Sequence, residues 1–180
     1  MAKQQNLKKR HLLNSGLFAL VIVLIDQAVK LWVLANFTVG EVRPFIPNIL
    51  QFHYYQNTGM AFGLLAGHPW FFIASRPLLL TVFAVFLVKV NIFPHRLQQF
   101  ALIAVMAGGF SNWIDNIAHG FVIDMFEPTF MSFAIFNVAD SFITVGVAII
   151  LTTFIFSEVR KNRVKTNISP GIEGTESHTE

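Results

Sequence analysis

Two aspartates, Asp124 and Asp140, stand on either side of the apolar stretch MFEPTFMSFAIFNVA, in a chain with only 13% charged residues. An isolated carboxylate near lipid is expensive, so an ionisable group at that depth is read as functional by default. Neither aspartate has a cationic neighbour in the local sequence. If the two carboxyls lie close together they cannot both ionise, and they share one proton. The ionised member can then deprotonate a water while the protonated member polarises or protonates a substrate amide. Such a pair titrates as a unit. This is aspartic-protease chemistry, and it needs no cysteine, metal or cofactor.

The chain offers none of those three. Cysteine is absent, no His-Glu-x-x-His occurs, and the six histidines have no ligand spacing, so neither a metal nor a cofactor is expected. Gly109–Asn112, GFSN, is one residue from the Gly-x-Ser-Gly of intramembrane serine proteases. No partner histidine follows on a later span, so it is read as coincidence.

Other polar residues repeat at helical spacing. Asn137, Asp140, Ser141 and Thr144 share one helix face, and Gly108, Asn112, Asp115 and Asn116 share another. Both stripes should turn inward, because a lipid-facing Asp or Asn costs a few kcal/mol on insertion scales. Taken alone, the Asn, Ser and Thr residues read as interhelical hydrogen-bond glue. Asp26 and Lys30, at i and i+4, read as a structural ion pair. Gly108 and Gly109 would let a neighbouring helix approach closely.

The elements that must position these groups follow from composition. The 180 residues are 54% hydrophobic with mean hydropathy +0.57, whereas a soluble domain carries roughly 25% charged residues. The expectation is an integral membrane protein, mainly α. Its four spans fall near 14–35, 70–90, 98–117 and 134–156, each near the roughly 20 residues a bilayer needs. Together they form a four-helix transmembrane bundle in a single membrane domain, 1–156. A cleaved signal peptide at the start is disfavoured, because Asp26 and Lys30 interrupt the first span and no cleavage site follows.

The formal charge of +3 comes from basic clusters at the two ends, which set topology rather than bind nucleic acid. Lys3, Lys8, Lys9 and Arg10, Lys89 and Arg96, and Arg160, Lys161, Arg163 and Lys165 fall on one side; only Arg43 and Arg76 fall on the other. Both termini should therefore be cytoplasmic. Outside loops cover 36–69 and 118–133. In the first, NILQFHYYQ reads as a short strand ending at the turn NTG, followed by a short interfacial helix. The second loop is the acidic one. The tail, 157–180, reads as polar and disordered. On this topology Asp26, Lys30, Asn112, Asp115, Asn137 and Asp140 reach the same outer depth.

Five blocks in order, DQAVK, NTGMAFG, GGFSNWIDN, HGFVIDMFE and FNVADS, make the chain resemble lipoprotein signal peptidase (signal peptidase II). The resemblance runs from the first span to the fourth. It implies a bacterial inner-membrane aspartic endopeptidase with a small β-containing periplasmic loop region and an active site toward the periplasmic leaflet. The implied substrates are diacylglyceryl-modified prolipoproteins, cut on the N-terminal side of the lipidated cysteine. Membrane lipids would be the other partner, with no nucleic acid and no obligate protein partner. Carried over, Asp124 and Asp140 match the catalytic pair. Asp26, Lys30, Asn57, Gly59, Ala61, Phe62, Gly108, Asn112, Asp115, Asn137, Ala139 and Ser141 match supporting positions.

Two residues depart from the pattern: Asn116 stands where the family usually has Arg, and Ser111 where it usually has Gly. The lost Arg removes a fixed positive charge, and Lys30 is the candidate to replace it. Two rival readings stand beside this one. A small ion-coupled transporter or channel predicts a pore or an internal repeat, and no repeat is visible in the spans. A structural membrane subunit predicts that both aspartates tolerate Asn.

Overall fold

The computed structural model describes residues 2–58, 69–89 and 96–168. Four helices, α1 (Ala2–Asn36), α2 (Pro69–Lys89), α3 (Arg96–His119) and α4 (Val138–Ile168), surround or extend from a small sheet. The sheet holds β1 (Val42–Ile46), β2 (Leu50–Asn57) and β3 (Val122–Pro128) in the order β1-β2-β3, all antiparallel. The central element is α3, which packs against α1, α2 and α4.

The distribution of polarity is inverted relative to a soluble domain. Leu12, Leu17, Leu24, Leu151, Phe154 and Phe156 are exposed, whereas Asp26, Lys30, Asp115, Asp124 and Asn137 are at most 1% exposed. Apolar side chains gain nothing by hiding from lipid, so the interior is left to small and hydrogen-bonded residues. Among the described residues, Leu12–Asn36 and Val138–Arg160 are long and apolar enough to cross a membrane.

A second, conventional apolar core joins the end of α1 to the sheet. Val33, Phe37, Tyr54, Ile123 and Met125 are buried there. Trp32, Phe37, Phe45, Phe52, Phe126 and Phe136 extend it through ring contacts. Aromatic pairs of this kind fix how a sheet sits on a helix end.

Gly120 links α3 to β3. It has φ +78° and donates its N–H to the Asn116 carbonyl (3.1 Å), the left-handed stop that ends a helix and re-aims the chain. The acidic segment 118–133 thus carries a strand, and Asp124 rides on it.

Two boundaries differ from expectation. The fourth helix begins at Val138, not near 134, because Phe136 pairs with Phe126 as an isolated bridge. Residues 157–168 of the tail, expected to be disordered, continue α4. The expected interfacial helix falls mainly on residues 59–68, outside the described residues.

Candidate active site

Asp124 and Asp140 meet across the gap between β3 and the first turn of α4, and Asn137 joins them. Asn137 Nδ2 donates to Asp124 Oδ1 (2.6 Å). Asn137 Oδ1 accepts the Asp140 backbone N–H (2.9 Å), while Asp140 Oδ2 accepts the Asn137 N–H (3.2 Å). This reciprocal pair is a capping box, with Asn137 the cap and Asp140 the third helical residue. One motif therefore starts α4 and orients one carboxylate toward the other. The remaining oxygens are also held: Asn57 Nδ2 donates to Asp124 Oδ2 (2.9 Å) and Asn112 Nδ2 to Asp140 Oδ1 (2.8 Å).

Beneath the pair lies a charged platform built from α1 and α3. The Lys30 ammonium uses its three donors on Asp26 Oδ2 (2.7 Å), Asp115 Oδ2 (2.7 Å) and Asn112 Oδ1 (2.8 Å). Asp26 Oδ1 accepts the Ala139 N–H at 2.8 Å, an otherwise unpaired donor at the start of α4. Asp115 Oδ2 also accepts the Ile123 N–H (3.2 Å), which seats the start of β3. The two carboxylates of the platform, Asp26 and Asp115, thus each fix a piece of backbone beside an aspartate. Lys30, the candidate replacement for the missing Arg, is paired with both Asp26 and Asp115.

Gly108 and Ala139 act through shape. A Cβ on Gly108 would lie 2.6 Å from the Ala139 carbonyl oxygen and 2.8 Å from Ile143 Cγ1, so glycine is what lets α3 and α4 touch here. A similar approach recurs at Gly146, whose Cβ would meet the Ala101 carbonyl at 2.7 Å. Ser141 is placed differently from its neighbours. Its hydroxyl donates to the Asn137 carbonyl (3.1 Å), within the first turn of α4. Gly59, Ala61 and Phe62 lie outside the described residues.

Gln27 was not singled out from the sequence, Ser111 was noted only as a departure from the family pattern, and Arg76 only as a charge for topology. Gln27 Nε2 donates to Asp115 Oδ1 (2.9 Å) and Ser111 Oγ (3.0 Å). Ser111, buried, donates its hydroxyl to Asp26 Oδ2 (2.7 Å), which gives a physical use to a side chain where the resemblance leads one to expect glycine. Arg76, on α2, donates from Nη1 to the Asn112 carbonyl (2.7 Å) and to Asn116 Oδ1 (2.8 Å). No sequence signal ties Arg76 to α3. The Asn-x-x-Asp spacing ahead of an apolar run was the legible sign of the capping box.

Burial, and after it the Asp140 carboxylate, push the Asp124 carboxyl up from the usual carboxylate range to about 7. The amides of Asn57 and Asn137 oppose that rise by favouring the anion. A carboxyl so placed can hold a proton near neutrality beside a second carboxylate. Among the described residues, no cluster of His, Asp or Glu is arranged to hold a metal ion.

Known proteins resemble this chain over most of its length. The family model described as "Signal peptidase (SPase) II" matches residues 18–156. Proteins named "Lipoprotein signal peptidase" from Streptococcus pyogenes serotypes M2 (strain MGAS10270), M6 (strain ATCC BAA-946 / MGAS10394) and M1 are each 39% identical over 132 residues. That is 73% of this chain and 86% of theirs. Two solved structures, both described as bacterial membrane enzymes determined by the in meso method, share the fold. One has TM-score 0.74 and 27% identity, covering 93% of this chain and 94% of that one. The other has TM-score 0.71 and 30% identity, covering 78% and 92%.

Proposed function

The chain belongs to the signal peptidase II family, and from that premise we propose that Asp124 and Asp140 are its catalytic pair. The protein is an aspartic peptidase of the membrane that removes signal peptides from prolipoproteins. The observation that carries the assignment of the pair is the position of Asn137, which bonds both aspartates while starting α4.

The geometry suggests how the pair divides its work. Asp140 sits in the first turn of α4, where the helix dipole favours negative charge. Asp124 sits on a strand, without that help, so we assign it the shared proton. A water between them would lose a proton to Asp140 as it attacks the scissile carbonyl. Asp124 would donate to the carbonyl oxygen and stabilise the tetrahedral intermediate. Protonation of the leaving amine by the pair completes the cycle. Turnover needs one proton on the pair, so activity falls at both ends of the pH range.

The membrane setting supports the finer features of the substrate. The four helices are read as four spans, with the basic ends of α1 and α4 in the cytoplasm of a bacterial cell and the sheet in the periplasm. Asp26, Asn112, Asp115 and Asp140 then all lie toward the outer leaflet. A scissile bond just before a diacylglyceryl-modified cysteine, anchored by its own lipid, would arrive at that depth. Asn57 ends β2 with its amide on Asp124, so the first outside loop meets the pair at that point.

The test is cleavage of a diacylglyceryl-modified prolipoprotein by purified protein in detergent, with an unlipidated substrate as control. Loss of turnover in folded Asp124→Asn and Asp140→Asn, and cleavage only of the lipidated form, are the expected results. Unimpaired cleavage by either variant would remove that residue from the catalytic pair.

A further inference from the structure

Arg76 places a guanidinium within an apolar helix, where charge is expensive unless it is turned inward and partnered. It is turned inward. Nη1 bridges the Asn112 carbonyl and Asn116 Oδ1 on α3 at 2.7 and 2.8 Å. The same Asn112 donates its amide to Asp140 at 2.8 Å, so Arg76 lies one residue removed from the pair. The carboxylates of Asp140, Asp115 and Asp124 all attract it, Asp140 most.

The placement is built into α2. Pro77, inside the helix, has no N–H to give the carbonyl four residues earlier. That carbonyl belongs to Ile73, and it accepts the Trp113 indole N–H from α3 at 3.0 Å. The proline therefore exposes a hook by which α3 holds α2, with Arg76 adjacent to it. The charged groups around the pair are Asp26 and Lys30 on α1, Asp115 on α3 and Arg76 on α2. Lys30, paired with Asp26 and Asp115, also acts on both members of the pair, and Arg76 is a second cation, joined to the pair through Asn112.

We propose that Arg76 is a positioning residue for the reaction. Its guanidinium, laid across Asn112 and Asn116, sets the pH window in which the Asp124–Asp140 pair carries one proton and aims the Asn112 amide at Asp140. This rests on the reading of Asp124 and Asp140 as the catalytic pair. A nearby cation favours ionised carboxyls, so its removal makes both steps of the pair's titration occur at higher pH.

The experiment is the pH profile of kcat with the lipidated prolipoprotein. It compares wild type, Arg76→Gln, Arg76→Lys and the double variant Arg76→Gln/Asn116→Arg, with thermal unfolding of each. In folded Arg76→Gln, kcat at neutral pH should fall about tenfold or more, and both limbs should move up by about one unit. Arg76→Lys should keep the limbs near their wild-type places with a lower kcat, since an ammonium does not reproduce the guanidinium fork. Asn116→Arg, which returns a guanidinium to the same spot from α3, should restore the limbs in the double variant. If Arg76→Gln does not fold, Arg76→Met takes its place as the uncharged variant of similar length. A profile merely scaled down, with unshifted limbs, overturns the proposal and leaves Arg76 as helix packing. Wild-type cleavage and its loss in Asp124→Asn test the pair separately, so failure of that reading is distinguishable from failure of this one.

Discussion

Asp26 Oδ1 accepts the backbone N–H of Ala139 at 2.8 Å, so a carboxylate in the middle of α1 closes the N-terminus of α4. The next residue is Asp140. The same Asp26 holds Lys30 and the Ser111 hydroxyl. A buried cluster of this kind links three helices immediately beside Asp124 and Asp140, and its members cannot be removed independently.

Lys30 is the member whose loss should cost most. Removing it leaves two buried carboxylates, Asp26 and Asp115, without their cation. Asp26→Asn, by contrast, leaves Lys30 with Asp115. Breaking a buried pair from one side costs about 3–5 kcal/mol, so Lys30→Met should fall in that range by thermal or denaturant unfolding in detergent. Asp26→Asn should lose less. The reverse order would mean that the ion pairs do not organise the platform.

Asn137 carries two tasks that a single substitution separates. Asn137→Ala removes the cap, worth about 1 kcal/mol at a typical N-terminus, and also the amide that bonds Asp124 and Asn112. Asn137→Ser keeps a capping oxygen but no amide. Both should lose turnover by at least about tenfold, while Asn137→Ser should retain more of the stability. Full activity in Asn137→Ser would show that bridging the aspartates is not what the amide contributes.

The titration of Asp124 bears on stability as well as on activity. Its folded carboxyl is raised to about 7 from 3.8, by burial first and by Asp140 second. Between those values the folded chain keeps a proton that the unfolded chain has released. Stability from this group is therefore fully present below about pH 4 and is lost as pH rises to about 7. Asp124→Asn cannot ionise, so its melting temperature relative to wild type should climb from about pH 4 to about pH 7 and level off above. A constant difference across that range would show that the carboxyl is not perturbed by folding.

The convergence of Asp26, Asn112, Asp115 and Asp140 was legible because span order and helical spacing bring them together without any knowledge of packing. The β2 strand was legible too, from NILQFHYYQ and the turn after it. The strand under Asp124 was not. HGFVIDMFE has no clean alternation, since Val122, Ile123, Asp124 and Met125 are all buried between the sheet and the helices. Arg76 entered the sequence reading only as a charge for topology. Its reach to Asn116 depends on how α2 rotates against α3, which the Pro77 and Trp113 contact decides and no periodicity announces. Ser111 and Asn116, read as departures from the family pattern, are themselves buried and each have a hydrogen-bond partner on another helix that only the folded chain reveals.

Adjacent glycines on α3 offer a controlled comparison of packing with propensity. An added Cβ at Gly109 meets only Leu80 Cδ2, at 3.5 Å, an ordinary contact. Gly109→Ala should therefore be neutral or stabilising by up to about 1 kcal/mol, the helix preference of Ala over Gly. At Gly108 the same methyl meets the Ala139 carbonyl at 2.6 Å, and that is backbone, which cannot swing aside. Gly108→Ala must push α4 away from α3, at a cost of about 1–3 kcal/mol by analogy with overpacked cores. Because Ala139 precedes Asp140, the displacement moves one aspartate relative to the other, and a misplacement of about 1 Å can cost on the order of 100-fold in rate. Turnover should thus drop further than the loss of melting temperature alone would imply, while Gly109→Ala keeps both. Equal behaviour of the two variants would mean that the α3–α4 contact at Ala139 does not set the geometry of the pair.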